Sequence, residues 1–224
     1  MKYILTAAWD DGVADLTERL VRELADGKQV LWLVSGGSNI PASVQVMDNI
    51  SDKLSKRLTV ALADERYGEP GHSESNWQQL TEAGFDGKQT KLLKTLQAGA
   101  DLEETVKRYG ETIQDAFEAN ELIIAQLGIG PDGHLAGILP GSPAATEQIA
   151  LVAGYEAPPL KRITLTFPAF RHVDAAYAFA FGKPKKQALE ALQSGDLPFA
   201  EQPAQILKQM PEAYLYSDQV GEHV

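Results

Sequence analysis

Hydrophobic positions along the chain fall into two patterns. Short, unbroken apolar runs rich in β-branched residues occur at YILTA (3 to 7), QVLWLV (29 to 34), LTVALA (58 to 63), ELIIAQL (121 to 127), RITLTF (162 to 167), AYAFAF (176 to 181) and AYLYS (213 to 217). Runs of this length without polar alternation read as strands covered on both faces. Between them the period lengthens. DLTERLVRELADG sets Leu16, Leu20 and Leu24 on one face and ends at Gly27, a C-cap residue. DLEETVKRYGETIQDAFEAN aligns Val106, Tyr109, Ile113 and Phe117, and PKKQALEALQSGD forms a third helix opened by Pro184 and closed near Gly195.

Strand-like and helix-like segments that alternate in this way predict an α/β fold: a Rossmann-like, mostly parallel sheet with helices on both faces. No Pro/Gly/Ser-rich linker or internal repeat divides the chain, and the nearest candidate, EAPPLKR at 156 to 162, is short. A single domain over residues 1 to 224 is expected. Parallel sheets bind ligands outside the carboxyl ends of their strands. SGGSN, DER, GIGPDGH and GKPKK each follow a predicted strand, so these four polar segments should meet on one rim.

Charge narrows the possible partners. The formal net charge is −11, with no basic block beyond Lys183, Lys185 and Lys186, so the long-range field disfavours nucleic acid and anionic membrane. A phosphorylated substrate would need a local cluster of donors and cations. The absence of cysteine removes disulfides and thiolate metal sites and accords with a reducing cytoplasm. Asp10 and Asp11 make the N-terminus a poor signal peptide, and no apolar run approaches the roughly 20 residues of a membrane span. A cytoplasmic protein is expected. Oligomeric state stays open, and a monomer is compatible with the sequence.

The rim segments carry the candidate chemistry. Gly36 and Gly37, between Ser35 and Ser38, let backbone N–H groups face an anion at the start of a helix whose first turn holds Pro41; the alternative is a tight strand-to-helix turn. Asp64, Glu65 and Arg66 end a buried strand in charges, and Arg66 could hold a carboxylate or phosphate through two parallel hydrogen bonds. Ser75 and Asn76 read as the cap of the helix beginning NWQQL. The three lysines around Pro184 crowd a positive helix end, a conflict that a bound anion would remove. Arg162 is a further cation, on this rim or the opposite one.

Gly128, Gly130 and Gly133 spell the glycine pattern of a dinucleotide turn, but Pro131 and Pro140 deny it the long helix that such a turn opens. That leaves His134 on an Asp-Gly turn, with an imidazole able to take a proton from water and return it. Asp132 either orients it or only forms the turn. His72, His172 and His223 are read as structural.

Together SGGSNIP, DERYGEPGHSESN, GIGPDGHLAGILPG, RITLTFPAF and GKPKKQAL, in this order, resemble the 6-phosphogluconolactonase and glucosamine-6-phosphate isomerase/deaminase family. The likeness spans most of the chain. It implies hydrolysis of 6-phospho-D-glucono-1,5-lactone to 6-phosphogluconate, with His134 as general base, supported by Asp132, and Arg66 against the substrate and the developing oxyanion. Ser35, Gly36, Gly37, Ser38, Asp64, Arg162 and Lys185 would hold substrate and phosphate, and no metal or organic cofactor is implied. The deaminase branch carries a glutamate where this chain has Leu139; that branch and a non-catalytic phosphosugar-binding module are the alternatives. Leu135 and Gly137 stand where the lactonase branch has Thr and Ser, and Asn39-Ile40-Pro41 replaces its Thr-Pro.

Overall fold

The protein is described by a computed structural model over residues 1–221; His223 lies outside the described residues. In chain order the elements are β1 (Lys2–Leu5), α1 (Asp10–Ala25), β2 (Val30–Val34), α2 (Ile40–Asp48), α3 (Asp52–Ser55), β3 (Leu58–Leu62), β4 (Asp64–Arg66), α4 (Asn76–Glu82), β5 (Lys91–Leu93), α5 (Leu102–Ala119), β6 (Leu122–Gly128), β7 (Val152–Ala157), β8 (Leu160–Leu165), α6 (Phe167–Phe170), β9 (Ala175–Phe179), α7 (Lys186–Ser194) and β10 (Glu212–Ser217). Seven strands form one parallel sheet in the order β1-β10-β9-β6-β2-β3-β5.

Burial on both faces explains the unbroken apolar runs. Along β2, Val30, Trp32 and Val34 enter the core beneath α1 and α2. Leu31 and Leu33 enter the opposite core, which takes in Tyr109, Ile113 and Phe117 of α5 and Leu189 and Leu192 of α7. The α1 stripe of Leu16, Leu20 and Leu24 is buried as its spacing predicts. Past the end of α1, Gly27 has φ +94° and its N–H reaches Leu24 O at 3.2 Å, the left-handed conformation that glycine adopts without strain.

One strand departs from the predicted sheet. RITLTF belongs to β8, which pairs antiparallel with both β4 and β7 in a separate three-stranded sheet. The segment 156 to 162 is therefore no linker: Ala157 pairs with Leu160 across a two-residue turn at Pro158-Pro159. Ile163 and Leu165 of β8 join the same core as α5, so the small sheet packs against the large one. An apolar run does not reveal which sheet it enters, because buried strands of either kind look alike in sequence.

This topology positions the site. From β2 the chain crosses to β3 on one side and later returns to β6 on the other. The strand order therefore reverses between β2 and β6, and a crevice opens outside their carboxyl ends.

Candidate active site

All four rim segments meet in that crevice, a cleft of about 280 Å³ whose lining includes Ser35 to Asn39, Asp64, Arg66, Asn76, Gly128 to Pro131, His134, Arg162 and Lys185. Of the residues to which the resemblance gives a catalytic or substrate-holding role, Ser35, Gly36, Gly37, Ser38, Asp64, Arg66, His134, Arg162 and Lys185 line it, and Asp132 reaches it through His134; Lys183, Lys186 and Glu65 do not line it. Arg162 lies on this rim because β8 runs back across β4, pairing Arg66 with Arg162.

His134 sits on a tight loop. Gly130 N–H donates to His134 O and Gly133 N–H to Gly130 O, each at 3.0 Å. A Cβ on Gly130 would lie 2.1 Å from the imidazole, so that glycine makes room for the ring. Asp132 both forms the turn and orients the side chain: one carboxylate oxygen accepts from His134 N–H at 3.2 Å and lies 2.7 Å from Nδ1. With Nδ1–H donated to Asp132, Nε2 is left unprotonated and able to accept. Burial opposes ionisation of Asp132, but the charge and hydrogen bonds of His134 outweigh it and hold the carboxyl below its usual range.

The rest of the cleft is cationic and short of partners. Arg66 spends one nitrogen on Glu74 O at 2.9 Å. Arg162 stands 3.9 Å from Asp64. Among the described residues, several buried side-chain polar atoms have no hydrogen-bond partner. Five of them belong to residues that line this cleft: Ser35 Oγ, Asn39 Oδ1, Asn76 Oδ1 and the Nε of both arginines. Each such group costs about 1–3 kcal/mol in desolvation when left unmade, so the walls of this cleft carry an unfavourable polar burial that a water or a polar ligand would relieve. The N–H groups of Gly36, Gly37 and Ser38 likewise have no acceptor among the described residues.

Of the three lysines near Pro184, Lys183 and Lys186 are exposed, while Lys185 is half-buried and lines the cleft. They start with a short 3-10 turn, Lys183–Lys185, which leads into α7. Burial pushes the Lys185 ammonium below the ordinary lysine range, against an opposing pull from Asp218.

Asp64 is the carboxylate of the lining, and burial drives its pKa above the usual range despite Arg66, Arg162 and His134. A raised carboxyl pKa means that the group's stabilising contribution is complete below the unfolded-state value and is lost as pH rises through the folded-state value. Asp64→Asn is therefore expected to raise the unfolding midpoint at pH 7 by about 2–4 °C, a gain that shrinks as pH falls towards 4. A melting curve unchanged or lowered at pH 7 would contradict that sign.

Two cleft residues are not signalled by their local sequence. Asn76, expected only to cap a helix, also donates Nδ2–H to Asp64 O at 2.8 Å and lines the cleft. Ser75 is the cap, accepting from Gln78 N–H at 3.2 Å. Asn39, which arrives with the longer first loop, has its backbone carbonyl held by Gln126 Nε2 at 3.2 Å and turns its side chain towards Gly128. Neither position of departure from the lactonase pattern opens to solvent: Leu135 is fully buried, and a Cβ on Gly137 would lie 2.8 Å from Thr164 Cβ. Among the described residues no group of three or more His, Asp or Glu side chains is arranged to hold a metal ion, and no helix is long and apolar enough to cross a membrane.

A parallel α/β sheet with a polar crevice at its switch point and one oriented histidine in that crevice defines the class, that of α/β proteins with a small-ligand site at the carboxyl ends of their strands. Residues 6–215 match the family described as glucosamine-6-phosphate isomerases/6-phosphogluconolactonase, and the chain belongs to that family. Both branches appear among its relatives. A glucosamine-6-phosphate deaminase of Lactobacillus johnsonii is 29% identical over 236 residues, covering 99% of this chain and 96% of its own. A 6-phosphogluconolactonase of Synechocystis is 25% identical over 222 residues, covering 93% and 90%. The solved 6-phosphogluconolactonase of Shewanella baltica superposes with a TM-score of 0.82 over 97% of each chain at 18% identity, a likeness of fold.

Proposed function

We propose that the protein hydrolyses 6-phospho-D-glucono-1,5-lactone to 6-phosphogluconate. The observation that carries this reading is Leu139. In the deaminase branch a glutamate at this place assists ring opening beside the histidine; here the side chain is apolar and packs half-buried against the core. Hydrolysis of a lactone needs no second titrating group there. It needs a water, a base and a site for developing negative charge.

The geometry supports the following steps. The phosphate takes the free N–H groups of Gly36 to Ser38 with Arg162 and Lys185, which places the ring across the cleft beside His134. Nε2 of His134 removes a proton from water as its oxygen attacks C1, and Asp132 stabilises the imidazolium through Nδ1–H. Arg66 faces the oxyanion on the carbonyl oxygen. As the tetrahedral intermediate collapses, the bond from C1 to the ring oxygen breaks and the imidazolium returns its proton to that oxygen. The carboxylic acid product then ionises to solvent. Ground-state interactions with a phosphate distant from C1 keep the substrate in attack geometry.

The deciding experiment follows freshly generated lactone with and without the protein, against its spontaneous hydrolysis. Acceleration supports this reading. The Lactobacillus relative favours the second reading, and ammonia release from glucosamine 6-phosphate without acceleration of lactone hydrolysis would move the assignment there. Binding of sugar phosphates without turnover would favour the non-catalytic module.

Lys185 gives a separate prediction. Lys185→Ala is expected to raise KM for the phosphorylated lactone about 10- to 100-fold, as befits loss of one charge-assisted contact of about 1.5–3 kcal/mol, and to leave phosphate-free lactone unaffected. Because burial lowers the ammonium's pKa, affinity for 6-phosphogluconate should weaken as pH rises, starting below the ordinary lysine range. Calorimetric titration across pH should show that limb in the wild type and lose it in Lys185→Ala.

A further inference from the structure

The C-terminal segment just before β10 forms a strap that grips two parts of the site at once. On one side it holds the histidine loop: Ala204 N–H donates to Gly133 O at 3.0 Å, and Gly141 N–H to Ala200 O at 2.8 Å. On the other it holds α7 at both ends. Gln202 Nε2 donates to Ala188 O in the first turn of α7 at 2.6 Å. At the far end, Gln205 Nε2 and Lys208 Nζ both donate to Gly195 O, at 3.1 and 2.5 Å.

Gln202 belongs to both grips. It is 3% exposed, and its Oε1 accepts from Gln205 Nε2 at 2.6 Å. Its stem lies against Gly133, where a Cβ would come within 2.6 Å of Gln202 Cγ. Gly133 directly precedes His134, and Ala188 is three residues after Lys185. One buried amide therefore spans the gap between the turn that aims the imidazole and the helix whose start carries the ammonium. Both of its polar ends are satisfied, so its orientation is fixed.

We propose that Gln202 is a positioning residue that locks the His134 loop to α7, so that an anion held at Lys185 sets the placement of the imidazole. The kinetic half of this inference rests on the lactonase reading; the link between anion and imidazole does not. The amide acts through the other two residues and touches no reacting atom. Its effect is one of distance: a shift of about 1 Å between an anchored substrate and its base can cost on the order of a hundredfold in rate.

The test uses the full chain, and two variants. Gln202→Met keeps the stem against Gly133 and removes the amide; Gln202→Ala removes both. In an NMR titration with inorganic phosphate, the His134 ring resonance, assigned by its absence in His134→Gln, should shift in the wild type and stay still or shift much less in Gln202→Met at saturating phosphate. On the phosphorylated lactone, Gln202→Met should lower kcat about tenfold or more, with the rate on glucono-1,5-lactone, which lacks the phosphate, changed less than about twofold. Damage that is merely structural would lower both substrates together. Should Gln202→Ala unfold, Gln202→Met carries both readouts. An imidazole that ignores phosphate in the wild type, or responds equally in Gln202→Met, overturns the proposal, as do equal losses on the two lactones. If the wild type shows no lactonase activity yet the phosphate response is present and lost in Gln202→Met, the lactonase reading fails and the positioning role stands.

Discussion

His134→Ala is expected to lower kcat for the phosphorylated lactone by about 10²- to 10⁴-fold, the usual worth of a general base, while KM changes less than about threefold. The split follows from where the imidazole acts. The cations and backbone donors proposed to hold the phosphate lie on other loops, so ground-state binding should survive, and what would disappear is the proton transfer to and from Nε2. Asp132→Asn should cost less, about tenfold, because the imidazole remains but loses the carboxylate that fixes its tautomer and supports its charge through the 2.7 Å contact. Gly130→Ala should approach the His134→Ala phenotype without altering any titrating group, since its Cβ would displace a ring now 2.1 Å from that position. Initial rates corrected for spontaneous hydrolysis, with melting curves for each variant, check all three. Equal kcat for wild type and His134→Ala would remove His134 from the mechanism.

What the sequence disclosed and what it withheld divide along one physical line. Elements whose identity depends on their own period were legible: α1 and α5 from their apolar stripes, and the long strands from burial on both faces. The convergence of loops was legible too, because every parallel strand delivers its carboxyl end to the same rim. Features set by a partner distant in sequence were not. DER looks like a loop because its three residues are charged, yet Glu65 is fully buried and pairs with Ile163 of β8 across the small sheet. Asn76 shows its capping context but not its reach to Asp64, and Asn39 shows an insertion but not the cleft it faces. Gln202 lies in FAEQPAQIL, which matches no motif; its role comes from contacts with residues 14 positions back at Ala188 and still farther back at Gly133. For Gln202 the one signal available is a polar side chain inside a largely apolar stretch, which marks a buried hydrogen bond without naming its partner.

Glu65 illustrates the energetic side of that division and gives the largest stability prediction. Its Oε1 accepts from Asn76 N–H at 2.6 Å and Arg66 N–H at 2.8 Å, and its Oε2 from Ser75 Oγ–H at 2.9 Å and Trp77 N–H at 3.2 Å. One buried carboxylate thus satisfies two donors of the first turn of α4 and fastens that helix to β4. Burial pushes its pKa up, and those four hydrogen bonds oppose the rise. Glu65→Ala would orphan three backbone N–H groups and a hydroxyl, and would leave a void. The individual penalties of about 1–3 kcal/mol do not add fully, and a total near 4 kcal/mol is expected. For a chain of this size that corresponds to a fall in Tm of about 8–16 °C. Glu65→Gln keeps the shape but turns one acceptor into a donor facing two of the four groups, so it should cost about half as much. Both variants should also lose activity below their melting points, because Arg66 and Asn76 flank the same carboxylate and would no longer be held across the cleft from His134. Urea unfolding with a constant m-value measures the first effect. An alanine variant within about 1 kcal/mol of wild type would show that α4 is held at this end by something other than Glu65.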